Sequence, residues 1–143
     1  MDTVNRGPSI FNLKEKTLIE SLVTKGRDTT ESVGQVMTFT GQAFKIPDDA
    51  TPVLIFNQNH INFLCDTAWI FKNDTPRFNV KGWSQGAFKK HGKGRIAVFG
   101  EAAMFTAQLA GPQKIKMGMN YEHAPENYQL LLNIIHWLDG KLE

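Results

Sequence analysis

Residues 82–100 read GWSQGAFKKHGKGRIAVFG, and this stretch carries the strongest structural signal in the chain. Two apolar, aromatic-rich runs, at residues 82–90 and 95–99, flank the tetrapeptide His-Gly-Lys-Gly at residues 91–94. Glycine readily adopts the positive φ angles that tight hairpin turns require. The pattern therefore predicts a β-hairpin over about residues 82–99.

The sequence on both sides of this hairpin predicts further elements. Residues 33–39 are rich in β-branched side chains, which predicts a strand. Residues 52–56 form a continuous apolar run typical of a buried strand. We therefore expect residues 53–56 and 95–99 at the centre of one sheet. Beyond the hairpin, a glycine followed by an alanine-rich stretch predicts a turn and then a helix that ends at residues 111–112.

Two more helices are predicted from apolar side chains at helical spacing. Residues 14–23 carry a short apolar stripe, which predicts a short helix or a helical turn. The longer helix is expected at about residues 125–139, because Pro125 suits the first helical position and Gly140 suits the stop. Its apolar stripe comprises Tyr128, Leu131, Leu132, Ile135 and Leu138. Residues 1–143 are therefore expected to form one α/β (or α+β) domain, with this helix covering a face of a mixed β-sheet.

Composition excludes several classes of protein. The chain has 143 residues and a net charge of +2, which is too small to demand a nucleic acid or an anionic membrane as partner. Its single cysteine excludes an intrachain disulfide and a cysteine-rich metal site. No apolar run approaches the ~20 residues of a membrane span, and the N-terminus lacks the apolar core of a signal peptide. We expect a cytoplasmic protein.

The familiar catalytic and cofactor motifs are missing from the sequence. Cys65 lies between Leu64 and Asp66, whereas a nucleophile elbow needs small neighbours. The four histidines lack the spacing that places two imidazoles on one helix face. The glycines at residues 92–94 lie between two predicted strands, whereas a phosphate-binding P-loop leads into a helix. We therefore assign no catalytic residue, no metal ligand and no cofactor, and favour a protein that is not an enzyme.

Glu101 is the leading candidate for ligand binding. It follows the carboxyl end of a strand expected to be central, where ligands bind in open α/β sheets. A carboxylate there could bind a hydroxyl group or act as a base, or it could instead satisfy backbone N–H groups at a helix start. Further candidates, each of which could equally be a loop anchor, are Arg6, Gln85, Asn120 and Asn127.

A basic cluster occupies the tip of the predicted hairpin. Over residues 89–95 it contains Lys89, Lys90, His91, Lys93 and Arg95, with Trp83 and Phe88 nearby in the sequence. Basic and aromatic side chains on one strand face could bind a nucleic acid. The alternative is a solvated hairpin tip whose charges discourage pairing of an exposed edge.

The C-terminal third resembles an uncharacterised bacterial family with a class I glutamine amidotransferase-like, flavodoxin-like domain. The resemblance lies in residues 92–108, in the Gly-Met-Asn loop at 118–120 and in the helix at 126–138, with shorter stretches at 5–9 and 38–41. It implies that the chain corresponds to the C-terminal part of such a domain. The N-terminal βαβ half and the catalytic nucleophile of true amidotransferases would then be absent.

These observations lead to three hypotheses about function. The first is a non-catalytic binding or protein-interaction module, with a pocket near Glu101 that Asn120 and Asn127 approach. The second is a small hydrolase or amidase-like enzyme that uses Glu101 with a histidine, and the third is nucleic-acid binding through the hairpin at 89–95. A shortened domain would also expose apolar sheet edge, so we expect a homo-oligomer, most simply a dimer.

Overall fold

A computed structural model describes residues 1–4, 7–68 and 70–143 of the chain. Within them lie short strands and two α-helices, with 3-10 turns at Thr29–Glu31 and Ala103–Phe105. The elements are β1 (Ser9–Asn12), α1 (Leu22–Lys25), β2 (Gln35–Thr38), β3 (Thr51–Ile55), β4 (Ile61–Phe63), β5 (Arg77–Asn79), β6 (Ser84–His91), β7 (Gly94–Phe99), β8 (Ala107–Ala110), β9 (Ile115–Gly118) and α2 (Asn127–Leu138).

The predicted hairpin is confirmed as β6 and β7. The two strands pair antiparallel, and Gly92 in the connection between them has the positive φ, 56°, that the prediction required. A third strand, β3, pairs with the other edge of β6, so the order in this sheet is β3-β6-β7. The prediction that residues 53–56 and 95–99 are central is therefore wrong: both lie in outer strands. β6 is central because the hairpin partner and β3 each take one of its edges.

The chain is a mixed α/β fold whose sheets are small and antiparallel. Besides β3-β6-β7, the described residues form the pairs β1-β2, β4-β5 and β8-β9. The predicted mixed sheet is corrected, because every one of these pairs is antiparallel. The short connections between β6 and β7 and between β8 and β9 require antiparallel pairing, because a parallel pair needs a crossover of a dozen or more residues. No helix in the described part of the chain is long and apolar enough to cross a membrane.

The short helix or helical turn predicted at residues 14–23 is present only at the end of that stretch. Helix α1 covers only Leu22–Lys25, and the preceding residues run extended along the outer edge of β3. Ile19 N donates to Val53 O at 2.9 Å, and Ile55 N donates to Thr17 O at 2.8 Å. The apolar pairs in this segment fit an extended chain as well as a helix, and β3 supplies the hydrogen bonds that decide between them.

The predicted helix after residue 100 is also wrong. A 3-10 turn at Ala103–Phe105 is followed by the antiparallel hairpin β8-β9, with residues 111–112 in its turn. Gly118, at φ 88°, lies so close to the preceding chain that a Cβ there would be 2.0 Å from Thr106 O. This close backbone approach, which only glycine permits, folds β9 back onto the 3-10 turn.

The C-terminal helix is confirmed as α2, but the prediction of its buried face is wrong. Tyr128, Leu132, Ile135 and Leu138 are exposed. The residues buried against the core are Asn127, Leu130, Asn133, Ile134 and Trp137. Asparagine can be buried here because its amide binds backbone groups; Asn133 Nδ2 donates to Val23 O and Glu31 O, both at 2.9 Å.

Candidate functional site

The outer edge of β2 is closed by side chains instead of a neighbouring strand. β1 takes one edge of β2, and three alternate N–H groups on the other edge each donate to a side-chain oxygen. The pairs are Gln35 N to Glu126 Oε2, Met37 N to Asn127 Oδ1 and Phe39 N to Glu101 Oε1, at 3.0, 2.9 and 2.7 Å. This row of acceptors places Glu101 at the carboxyl end of β2.

Glu101 is a buried carboxyl group with one oxygen to spare. Its Oε1 accepts hydrogen bonds from Phe39 N at 2.7 Å and Thr40 N at 2.8 Å. Its Oε2 is buried and has no hydrogen-bond partner among the described residues, and the residue as a whole is 7% exposed. Burial raises the pKa of the carboxyl group to about 7, against the opposing effect of the two N–H donors.

Gln85 lies beside Glu101 and has the same feature. Its Nε2 donates to Thr40 O at 2.8 Å, whereas its Oε1 is buried without a partner in the described structure. Gln85 is 2% exposed. Gly41 separates the two side chains: a Cβ on this residue would lie 2.7 Å from Gln85 Nε2 and 2.8 Å from Glu101 Cβ. The structure thus brings two of the predicted site residues together around one glycine.

A large cavity opens beside this pair. Its volume is about 950 Å³, and Gln85, Thr40 and Gly41 contribute to its lining. The apolar part of the wall includes Phe39, Phe56, Ile61, Phe63, Leu64, Phe71 and Val80. No charged side chain lies among the described lining residues, and the free thiol of Cys65 is part of the wall. The arrangement can hold an apolar molecule against a small number of fixed polar groups.

Asn127 lies on the same edge of β2 but has no group left for a ligand. It is fully buried, and its Oδ1 accepts from Met37 N. Its Nδ2 donates to Met37 O at 2.7 Å and to Met104 O at 3.0 Å. All three bonds tie α2 to β2 and to the 3-10 turn at Ala103–Phe105. Asn127 is therefore a structural anchor in this fold.

The remaining predicted site residues are not brought to the cavity. Asn120 Nδ2 donates to Gln108 O at 3.3 Å, beside the hairpin β8-β9, and its buried Oδ1 has no partner among the described residues. Asn120 is not part of the cavity lining. Arg6 falls outside the described residues. Glu101 is not among the described lining residues either, so the predicted candidate that reaches the cavity is Gln85, with Glu101 buried beside it.

No histidine supports acid–base chemistry at this place. None of the described residues that line the cavity is a histidine. His60 is buried between Phe11 and Phe56, and its Nδ1 lies 2.8 Å from Asn57 Oδ1. Burial lowers the pKa of His60. Across the described residues, no group of three His, Cys, Asp or Glu side chains is arranged to hold a metal ion.

The basic cluster at the hairpin tip is partly committed to the fold. Lys89 forms an ion pair with Asp49. The Arg95 guanidinium donates to the carbonyl oxygens of Trp137 and Leu142 and pairs with Glu143. These contacts fasten the end of the chain to β7, which leaves fewer basic groups for a nucleic acid than the sequence predicts.

Sequence reasoning found the two polar residues but missed the cavity walls. Residues 63–71 show no clear period, and they supply Phe63, Leu64, Cys65 and Phe71 to the lining. The apolar side chains of this stretch were the available signal. Comparison of the chain with protein-family models, curated proteins and solved structures found no match.

Proposed function

We propose that this chain is a non-catalytic binding module for a small uncharged molecule with an apolar, preferably aromatic, body and one N–H or O–H donor. The observation that carries the proposal is Gln85, which lines an apolar cavity and whose buried Oε1 has no partner among the described residues. Leaving such an acceptor unpaired costs about 1–3 kcal/mol. A donor on the ligand would recover that cost.

The cavity walls support an uncharged ligand. Several phenylalanine rings line the cavity, and no charged described side chain faces it. A charged ligand would lose its hydration there without meeting an oppositely charged side chain among the described residues, whereas an aromatic body would bury apolar surface.

Glu101 serves as a positioning residue in this proposal. Its Oε1 fixes the amides of Phe39 and Thr40, and Thr40 O in turn holds the Gln85 amide by accepting from Nε2. These contacts orient the Gln85 side-chain amide so that its Oε1 is the atom without a partner among the described residues. A side chain held in this way is pre-organised for a ligand, which reduces the entropic cost of binding.

Indole and benzofuran form a matched pair of probes, because they have nearly the same shape and only indole has an N–H donor. We expect indole to bind about tenfold more tightly than benzofuran, which corresponds to about 1.4 kcal/mol. In Gln85→Met the two probes should bind equally, whereas Gln113→Met, in an exposed turn, should leave the tenfold preference intact. Calorimetric titration measures both constants. Equal binding of the probes to the unchanged protein, or no binding, would overturn the proposal.

The relation to amidotransferase-like domains, the hydrolase hypothesis and nucleic-acid binding stay predictions. The hydrolase hypothesis lacks a histidine near Glu101, whose Oε1 is already bound to two backbone amides. Nucleic-acid binding through residues 89–95 loses Lys89 and Arg95 to contacts within the chain. The binding module is therefore the function that the site supports best.

A further inference from the structure

One edge of β7 carries backbone groups that no other strand takes. Within the part of the chain that the structure describes, β7 pairs only with β6. Gly100 N donates to Gln85 O at 2.8 Å, in the same register as the strand pair. Because hydrogen-bonded pairs alternate along an antiparallel ladder, the N–H and C=O groups of Arg95, Ala97 and Phe99 point away from β6.

The solvent face of this edge is apolar. Ile96 is 41% exposed and Val98 is 50% exposed, on the face of the sheet opposite the core. They border a second, apolar groove of about 220 Å³ that includes Phe44 and Ile46. β7 contains no proline and no acidic residue, and its one charge, on Arg95, is turned towards the C-terminal residues. β7 thus lacks the proline and the outward-directed charge that commonly protect a sheet edge.

We propose that the outer edge of β7 pairs with β7 of a second copy of this chain. The two strands would run antiparallel about a two-fold axis at Ala97, and the sheet would become the six-stranded β3-β6-β7-β7-β6-β3. Arg95 and Phe99 of one copy would then exchange hydrogen bonds with Phe99 and Arg95 of the other. Ile96 of each copy would face Val98 of the other copy.

The occupant is a second copy because this edge is complementary to itself. In the register about Ala97, all the outward-pointing backbone groups of the three residues find partners. The four β-branched side chains form reciprocal cross-strand pairs, which stabilise sheets. The smallest side chain of the edge lies on the axis, so no bulky group opposes its own image. A two-fold contact also closes the assembly at two copies and leaves no new free edge at the seam.

The solution mass tests the proposal directly. At ~500 µM the protein should have twice its mass of 16.1 kDa by light scattering, with dissociation towards ~10 µM. Ile96→Lys, which would place two like charges beside the seam, should be monomeric at both concentrations. Ile115→Lys, at a similarly exposed residue of β9, should remain dimeric. A monomeric unchanged protein, or an Ile96→Lys dimer of unchanged strength, would overturn the proposal.

Hydrogen exchange supplies a test that needs no variant. In the dimer the amides of Arg95, Ala97 and Phe99 become bonded, whereas those of Ile96 and Val98 already bond to β6 in the monomer. Protection of the first three should therefore increase at least tenfold between the low and the high concentration. Protection of the other two should change far less. Equal changes at alternate residues, or a mass increase without protection of Ala97, would show that a different surface forms the dimer.

Discussion

Strands β2 and β7 each lie at the edge of a sheet, and they differ in what bonds to the backbone groups on the outer edge. Along β2, the amides of alternate residues bond to side chains of Glu126, Asn127 and Glu101. Along β7, the corresponding groups have no partner strand in the described chain. The hydrogen-bonding groups of the backbone are therefore paired within the described chain at the β2 edge and left without a partner strand at the β7 edge.

The difference shows how an edge can acquire a function. Side chains that close an edge have several polar atoms, and only some of them face the strand. Asn127 uses both polar atoms of its side chain on backbone groups, while Glu101 and the neighbouring Gln85 each have one oxygen without a partner among the described residues. A closed edge can thus carry a ligand site, whereas an open edge carries an interface.

The largest effect on the β2 edge should come from Asn127→Leu. The variant keeps the volume but leaves Met37 N, Met37 O and Met104 O without partners. At about 1–3 kcal/mol for each buried group, the free energy of unfolding should fall by about 4 kcal/mol. Urea denaturation measures this loss. Asn73→Leu, at an exposed residue, should change it by less than about 0.5 kcal/mol; similar values for both variants would contradict the role of Asn127.

Glu101 should make the protein less stable as the pH rises. The raised pKa, about 7, means that the folded state retains a proton that the unfolded state loses above about pH 4.5. This contribution to the free energy of unfolding is fully present below pH 4.5 and is lost as the pH rises through 7. The total loss is about 3 kcal/mol. Urea denaturation between pH 4.5 and 8 should show the decline. It should disappear in Glu101→Gln and persist in Glu126→Gln; a flat profile for the unchanged protein would contradict the assignment.

A smaller effect is expected at the other end of β2. Glu126 accepts from Gly34 N at 2.5 Å and from Gln35 N at 3.0 Å, in a partly exposed position. In Glu126→Ala water can replace the lost acceptor, so we expect a loss of about 1 kcal/mol in denaturation experiments. A loss as large as that for Asn127→Leu would show that burial does not determine which contact of this edge contributes most to stability.

The smallest effect on folding should come from the open edge. The Ile96 side chain is on the solvent face of β7, so Ile96→Lys should change the stability of the monomer by less than about 0.5 kcal/mol. Denaturation at ~10 µM, where the monomer dominates, measures this change. A loss above about 2 kcal/mol would mean that the side chain belongs to the core and that the edge is not free.

Local patterns predicted the elements whose signal is local. The hairpin at β6 and β7 follows from its glycines, β3 from its apolar run, and α2 from Pro125 and its periodic side chains. The buried face of α2 could not be read in the same way, because both faces of the helix are apolar. The choice depends on Asn127 and Asn133, whose partners are distant in the sequence.

The candidate site was predictable only in part. Glu101 was named for its place after a strand, but the structure puts it in contact with the end of β2, 61 and 62 residues earlier in the chain. Gln85 was named as a polar residue in a structured stretch, without an expected neighbour. Which of the candidates keep an unpaired oxygen depends on contacts between distant segments, and no pattern within one segment records these.

In the two proposals, the site at Gln85, beside the end of β2, binds a small molecule and the β7 edge binds a second copy of the chain. A single titration of the ¹⁵N-labelled protein with indole at ~10 µM protein tests this assignment, because the monomer then presents both edges. We predict chemical-shift changes at the Gln85 side-chain amide and at the backbone amides of Thr40 and Gly41, with none at Ala97. Shifts centred on the β7 edge and its groove, without change at Gln85, would contradict it.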